Sequence, residues 1–141
     1  EGNRIGVFKN QKIFCKFKYV LSDINILFIS NYININTAMI KNDIDIRFRE
    51  DKRLVALEDW AFWIDSKLKK RNYFLLNKEL IDYRVLPNSA SERGSDRTYR
   101  KIFYMYSMYL IEEKISFLFY ILLFTKNTLN IIFDKILYSF K

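Results

Sequence analysis

Two acidic side chains, Glu58 and Asp59, stand directly before Trp60, and a second tryptophan follows at Trp63; the chain contains no others. A carboxylate beside aromatic rings can act as a general base, taking a proton from a hydroxyl while the rings keep water away. The same pair at the start of a helix complements the positive end of the helix dipole and caps free N–H groups. The spacing alone leaves both readings open. Leu57, Trp60, Ala61, Ile64 and Leu68 recur every three or four residues and predict the apolar stripe of an amphipathic helix. Glu58 and Asp59 fall off that stripe. Asp59 and Trp63, four residues apart, are neighbours on another face. Lys67, Lys69, Lys70 and Arg71 supply cations at the end where the dipole favours them.

The totals restrict what such a pair can work with. The chain has 141 residues, half of them apolar, which suits one domain with a sizeable core. It has 13 Phe and 10 Tyr, and its net charge of +8 favours anionic partners. No histidine is present, which excludes histidine bases and histidine metal ligands. Cys15 is the single cysteine, so no internal disulfide can form.

The flanking segments read as follows. Residues 4–18 suggest two short strands around Lys9-Asn10-Gln11. Residues 19–32 place Val20, Ile24, Leu27 and Phe28 at helical spacing. Residues 33–43 open with alternation of Ile33, Ile35 and Thr37, which predicts a strand, and the charged stretch 45–54 predicts a loop. Residues 73–86 are strand-like until Pro87, and 87–95 form a loop. The remainder predicts three helices, over 96–113, 114–124 and 127–140. The apolar run 115–124, about ten residues, is short of the ~20 that span a bilayer. It predicts a core or interfacial helix, with Lys126, Lys135 and Lys141 suited to anionic head groups.

Three segments, taken in order, resemble glycosyltransferase family 2, in the C-terminal, acceptor-side portion of its GT-A-like domain. They are "NYININTAMIKNDI" (31–44), "FREDKRLVALEDWAFWIDSKL" (48–68) and "LIDYRVLPNSAS" (80–91). The resemblance covers about residues 15–100. It implies an α/β fold with short strands and an amphipathic helix over residues 1–95, followed by a helical tail over 96–141. It implies that Asp59 is the catalytic base, with Glu58 supporting it and Trp60 or Trp63 lining the acceptor pocket. Asn36 and Thr37 match the small polar residues of the strand before the acidic motif. Arg84 could pair with a diphosphate oxygen, and Asn88, Ser89 and Ser91 could hydrogen-bond phosphate or sugar hydroxyls. For Arg84 the plain alternative is a solvated strand arginine, and for the other three it is ordinary turn chemistry.

The sequence also departs from the family. The nucleotide-binding half with its metal-binding Asp-x-Asp has no counterpart. Asp43-Ile44-Asp45 follows the Asn36-Thr37 segment instead of preceding it, and Val85-Leu86-Pro87 lacks the histidine common in relatives. With Glu1 at the start instead of Met, the chain reads as a piece of a longer enzyme, inactive alone. The expected parent transfers a sugar from a nucleotide-sugar donor to a surface-glycan acceptor, such as lipopolysaccharide or capsule. It would use Mg²⁺ or Mn²⁺ whose ligands this chain lacks, and would work in the cytoplasm or peripherally at the inner face of the membrane. Arg93, Arg97, Arg100 and Lys101 add a basic face that could meet an anionic membrane. No nucleic-acid-binding module is recognisable. The competing expectation is a non-enzymatic basic protein that docks on a membrane or a partner through residues 96–141.

Overall fold

The computed structural model of the protein describes residues 23–41, 45–73 and 95–139. Four α-helices carry them: α1 (Asp23–Ile29), α2 (Glu58–Leu68), α3 (Ser95–Ile111) and α4 (Phe117–Ser139). Two 3₁₀ turns, Ile35–Thr37 and Lys52–Leu54, lie between α1 and α2. No strand occurs among the described residues, which overturns the expected α/β architecture of a GT-A-like domain. The expected strands over 4–18 and 73–86 fall outside the described residues except at Tyr73.

The strand expected over 33–43 fails for a local reason. The Asn34 side chain accepts the Asn36 N–H at 2.9 Å, and the Thr37 hydroxyl donates to the Asn34 carbonyl at 2.9 Å. These bonds fold the backbone into a 3₁₀ turn, the alternative that short polar side chains offer to a strand ladder. Ile33 and Ile35 still pack against the core, so the alternation reports burial without a sheet.

α1 has only seven residues and would be marginal alone. Its Ile26 carbonyl accepts the Ser30 N–H, but the next three carbonyls lie past the last helical turn. Each receives a side chain from a different helix. The Trp60 indole N–H donates to Leu27 O at 2.5 Å, the Tyr106 hydroxyl to Phe28 O at 2.7 Å, and the Lys126 ammonium to Ile29 O. Around these bonds Leu27, Phe28, Ile64, Met105, Tyr106, Tyr109 and Leu123 are fully buried. The Phe28 ring meets Tyr109 edge-on at 5.2 Å and Phe119 at 6.0 Å. Each such apolar side chain contributes roughly 1.5–3 kcal/mol by leaving water.

α3 and α4 form an antiparallel pair. Going down α4, Tyr120 meets Ser107 at 3.2 Å, Phe124 packs on Phe103 at 4.6 Å, and Asp134 accepts from the Tyr99 hydroxyl at 2.8 Å. The turn between them is closed by Glu113 at φ 56, with Glu113 N–H on Leu110 O and Lys114 N–H on Tyr109 O. Lys70, at φ 58, closes α2 in the same way, with its N–H on Lys67 O and the Arg71 N–H on Ser66 O. Both are Schellman caps made without glycine. The Ser116 hydroxyl accepts the Phe119 N–H at 3.2 Å and caps the start of α4.

α4 runs unbroken where two helices were expected. Lys126 and Asn127, which look like a polar interruption in the sequence, both turn inward. Asn127 is buried and donates to Tyr106 and to Leu123 O. The continuous helix carries a 20-residue apolar stretch, Phe117–Ile136, long and apolar enough to cross a membrane by length and composition. That corrects the ten-residue reading of the sequence.

A second anchor ties the segment before α2 to the far end of the core. Arg49 donates Nε and Nη2 to Asp65 at 2.6 and 2.8 Å, and Nη1 and Nη2 to Glu112 at 2.6 and 3.0 Å. Its guanidinium lies 5.0 Å from the centre of the Tyr109 ring, and the Tyr109 hydroxyl donates to Asp65 at 2.9 Å. Asp65 and Glu112 raise the Arg49 guanidinium above its usual range, and Arg49 holds Glu112 below its ordinary value of 4.5. Burial pushes the Tyr106 hydroxyl up to about 12 and raises Tyr109 as well.

Two outcomes are expected. Trp60→Phe keeps the ring but strands the Leu27 carbonyl, so urea denaturation should show a loss of about 1–3 kcal/mol. The Glu112 carboxyl is depressed in the folded state, so its contribution is full above pH 4.5 and is lost as the pH falls below that value. The two buried tyrosines are raised, so theirs is full below pH 10 and declines as the pH climbs through their folded values. Thermal melts across pH should therefore show a plateau between those limits, and Glu112→Gln should flatten the acid edge.

Candidate active site

α2 starts without a side chain capping it from Leu57, its N-cap residue. The first intrahelical bond runs from Ala61 N–H to Leu57 O at 3.0 Å, which leaves the Trp60 N–H free. Asp59 fills that gap: its Oδ1 accepts the Trp60 N–H at 2.8 Å. The other carboxylate oxygen, Oδ2, accepts from Asn31 Nδ2 at 3.2 Å, across 28 residues of sequence. The Asn31 side-chain oxygen in turn accepts the Ile33 N–H at 3.3 Å, so the amide is held at both ends. Asp59 is half-buried and is paired with no lysine or arginine among the described residues. Each oxygen thus keeps a lone pair for a further donor.

The approach to α2 is sharply bent. Ala56 sits at φ 72, a left-handed conformation that costs an alanine roughly 1–2 kcal/mol. It is held between buried Leu54 and buried Leu57. Lys101 of α3 donates to the neighbouring Val55 carbonyl, and Asp51 accepts from the Tyr104 hydroxyl at 2.7 Å and from Arg53 at 2.9 Å. Arg53 and Tyr104 hold the Asp51 carboxyl well below its usual range. These contacts fix where α2 begins and therefore where Asp59 stands.

The other expected site residues are placed as follows. Glu58 is exposed in the first turn of α2, beside Asp59 in sequence. Trp60 lies in the core, as its place on the apolar stripe predicts, with its indole edge against Tyr106. Trp63 is also buried, at 4% exposure, although its spacing put it on a separate face. Phe62 and Tyr73 meet it edge-on at 5.0 and 6.2 Å, and its carbonyl accepts the Tyr73 hydroxyl at 2.6 Å. Its indole N–H is buried with no hydrogen-bond partner among the described residues. Asn36 and Thr37 are exposed in the 3₁₀ turn and bond within it. Arg84, Asn88, Ser89 and Ser91 lie outside the described residues.

Asn31 is the residue that pattern reading missed. It opens the 31–44 segment but matches no periodicity and sits in no element. Only the closing of α1 onto α2 brings it to Asp59. A shallow depression elsewhere is lined by Arg49, Asp51, Arg53, Tyr104 and Glu112. Its two arginines are already matched by Asp65, Glu112 and Asp51, while Glu50 and Lys52 stand exposed at its edge. Among the described residues no group of three or more Cys, Asp or Glu side chains is placed to hold a metal ion. Comparison with known proteins finds no family model, no curated protein and no solved structure that matches the chain.

Proposed function

We propose that this chain is the acceptor-side part of an inverting glycosyltransferase, with Asp59 as the base. The observation that carries the reading is the Asp59 carboxylate: half-buried, oriented on both oxygens by neutral donors, and matched by no cation among the described residues. The three segments that resemble family 2 support it.

In this reading the acceptor hydroxyl gives its proton to Asp59. The acceptor oxygen then forms its bond to the anomeric carbon of the donor sugar, and the bond from that carbon to the diphosphate oxygen breaks. Asn31 and the Trp60 N–H hold the carboxylate in place, so no reorganisation is needed as the proton moves. Glu58 stands exposed beside it in the first turn of α2 and supports it from that side. The donor is a nucleotide sugar, and the acceptor a surface glycan such as lipopolysaccharide or capsule, handled at the cytoplasmic side of the membrane. Among the described residues no set of carboxylates is placed to hold Mg²⁺ or Mn²⁺. The resemblance assigns such an ion to the nucleotide-binding half, with which this segment would act.

The test is sugar transfer by the polypeptide that joins this segment to that half. Asp59→Asn should lower kcat by about 10²–10⁴-fold, the usual worth of a general base, with nucleotide-sugar binding unchanged. Asn31→Ala should give a smaller fall in kcat, because the base remains but loses its positioner. Full activity in Asp59→Asn would exclude this carboxylate as the base.

A further inference from the structure

α4 turns three of its polar side chains toward the protein, leaves Asn130 and Lys135 exposed, and carries a row of apolar side chains on its outer side. Lys126 reaches Ile29 O, Asn127 reaches Tyr106, and Asp134 takes the Tyr99 hydroxyl. On the opposite half of the helix Phe117, Leu118, Leu122, Leu129, Phe133 and Ile136 are exposed, Leu118 at 70%. At 3.6 residues per turn these fall on one continuous face. The apolar stretch Phe117–Ile136 is about 30 Å long at 1.5 Å per residue. The hydroxyls along it are spent internally: Thr125 donates to Ile121 O and Thr128 to Phe124 O, both at 2.9 Å.

We infer that this face of α4 is a lipid-inserting surface, lying in the plane of a bilayer with its apolar side chains among the acyl chains. Several observations select lipid over a protein partner. A protein interface carries about one hydrogen bond per 100–200 Å², yet between Phe117 and Phe133 the outer side of α4 offers only the Asn130 amide, at the edge of the apolar arc. Acyl chains ask for none. Cations flank the apolar face as head groups require: Lys114 before the helix and Lys135 near its end are exposed, on a chain of net charge +8.

In-plane insertion fits better than crossing, because α3 packs along the length of α4. A crossing helix would drag the Arg49–Asp65–Glu112 ion cluster and the Lys126 ammonium toward the hydrocarbon. An in-plane helix sinks only ~5–10 Å, which leaves those groups on the watery side. The attraction is then mainly apolar. That differs from docking through basic side chains, since Lys126 is turned inward. This inference does not depend on the transferase reading.

Vesicle flotation of the full chain tests it, with phosphatidylcholine alone and with added phosphatidylglycerol. The chain should float with both, and stay bound at about 0.5 M salt, where screening shortens the Debye length to roughly 4 Å. The paired change Leu118→Glu with Leu122→Glu should lower partitioning about tenfold or more, since it sets charge among acyl chains. The milder Leu118→Ser with Leu122→Ser should lower it in the same direction. Three results would overturn the inference: no flotation with either vesicle, binding to anionic vesicles alone that salt abolishes, or a dimer in sedimentation equilibrium that the Leu122 changes disperse.

Discussion

Three carbonyls at the end of a seven-residue helix organise this structure. α1 is too short to stand alone, and its Leu27, Phe28 and Ile29 carbonyls would be buried without partners. Trp60, Tyr106 and Lys126 each meet one of them, and each comes from a different helix. Satisfying one short segment's backbone therefore fixes α2, α3 and α4 around it. The Lys126 ammonium also answers the negative end of the α1 dipole. Asn31 follows two residues later, so the same docking delivers it to Asp59. The candidate base depends on these carbonyls although it touches none of them.

The Arg49 cluster carries a different part of the load. It joins an irregular segment to α2 and to the end of α3, with Tyr109 beneath the guanidinium. Asp65 is drawn wholly into this cluster, whereas Asp59, six residues earlier on the same helix, meets only neutral donors among the described residues. Two aspartates on one helix thus have opposite surroundings. One is committed to the ion cluster, and the other is left without a cationic partner among the described residues.

Much of the helical content could be read from spacing. The stripe of α2 and the extents of α2 and α3 follow from a 3.6-residue period, and the buried place of Trp60 follows with them. The failures are tertiary. Trp63 is off the stripe, but Phe62 and Tyr73 cover it, and Tyr73 lies beyond the helix. Ile33 and Ile35 alternate as strand residues do, but Asn34 bends the backbone first. Lys126-Asn127 looks like a break, yet both side chains have partners waiting inside. Asn31 and Arg49 act across 28 and up to 63 residues, distances at which no local period speaks.

The carbonyl anchors also impose an order on how the chain can assemble. Their donors lie 33, 78 and 97 residues beyond their acceptors. The α3–α4 pair can zip from its own five-residue turn, but α1 cannot be completed until the chain through Lys126 is available. On a ribosome adding about 5–20 residues per second, α1 waits several seconds for its last donor. During that interval Leu27 and Phe28 are uncovered, and the loop closures that hide them are the long ones. Of the four described helices, α1 is thus the first to be synthesised and the last to be locked.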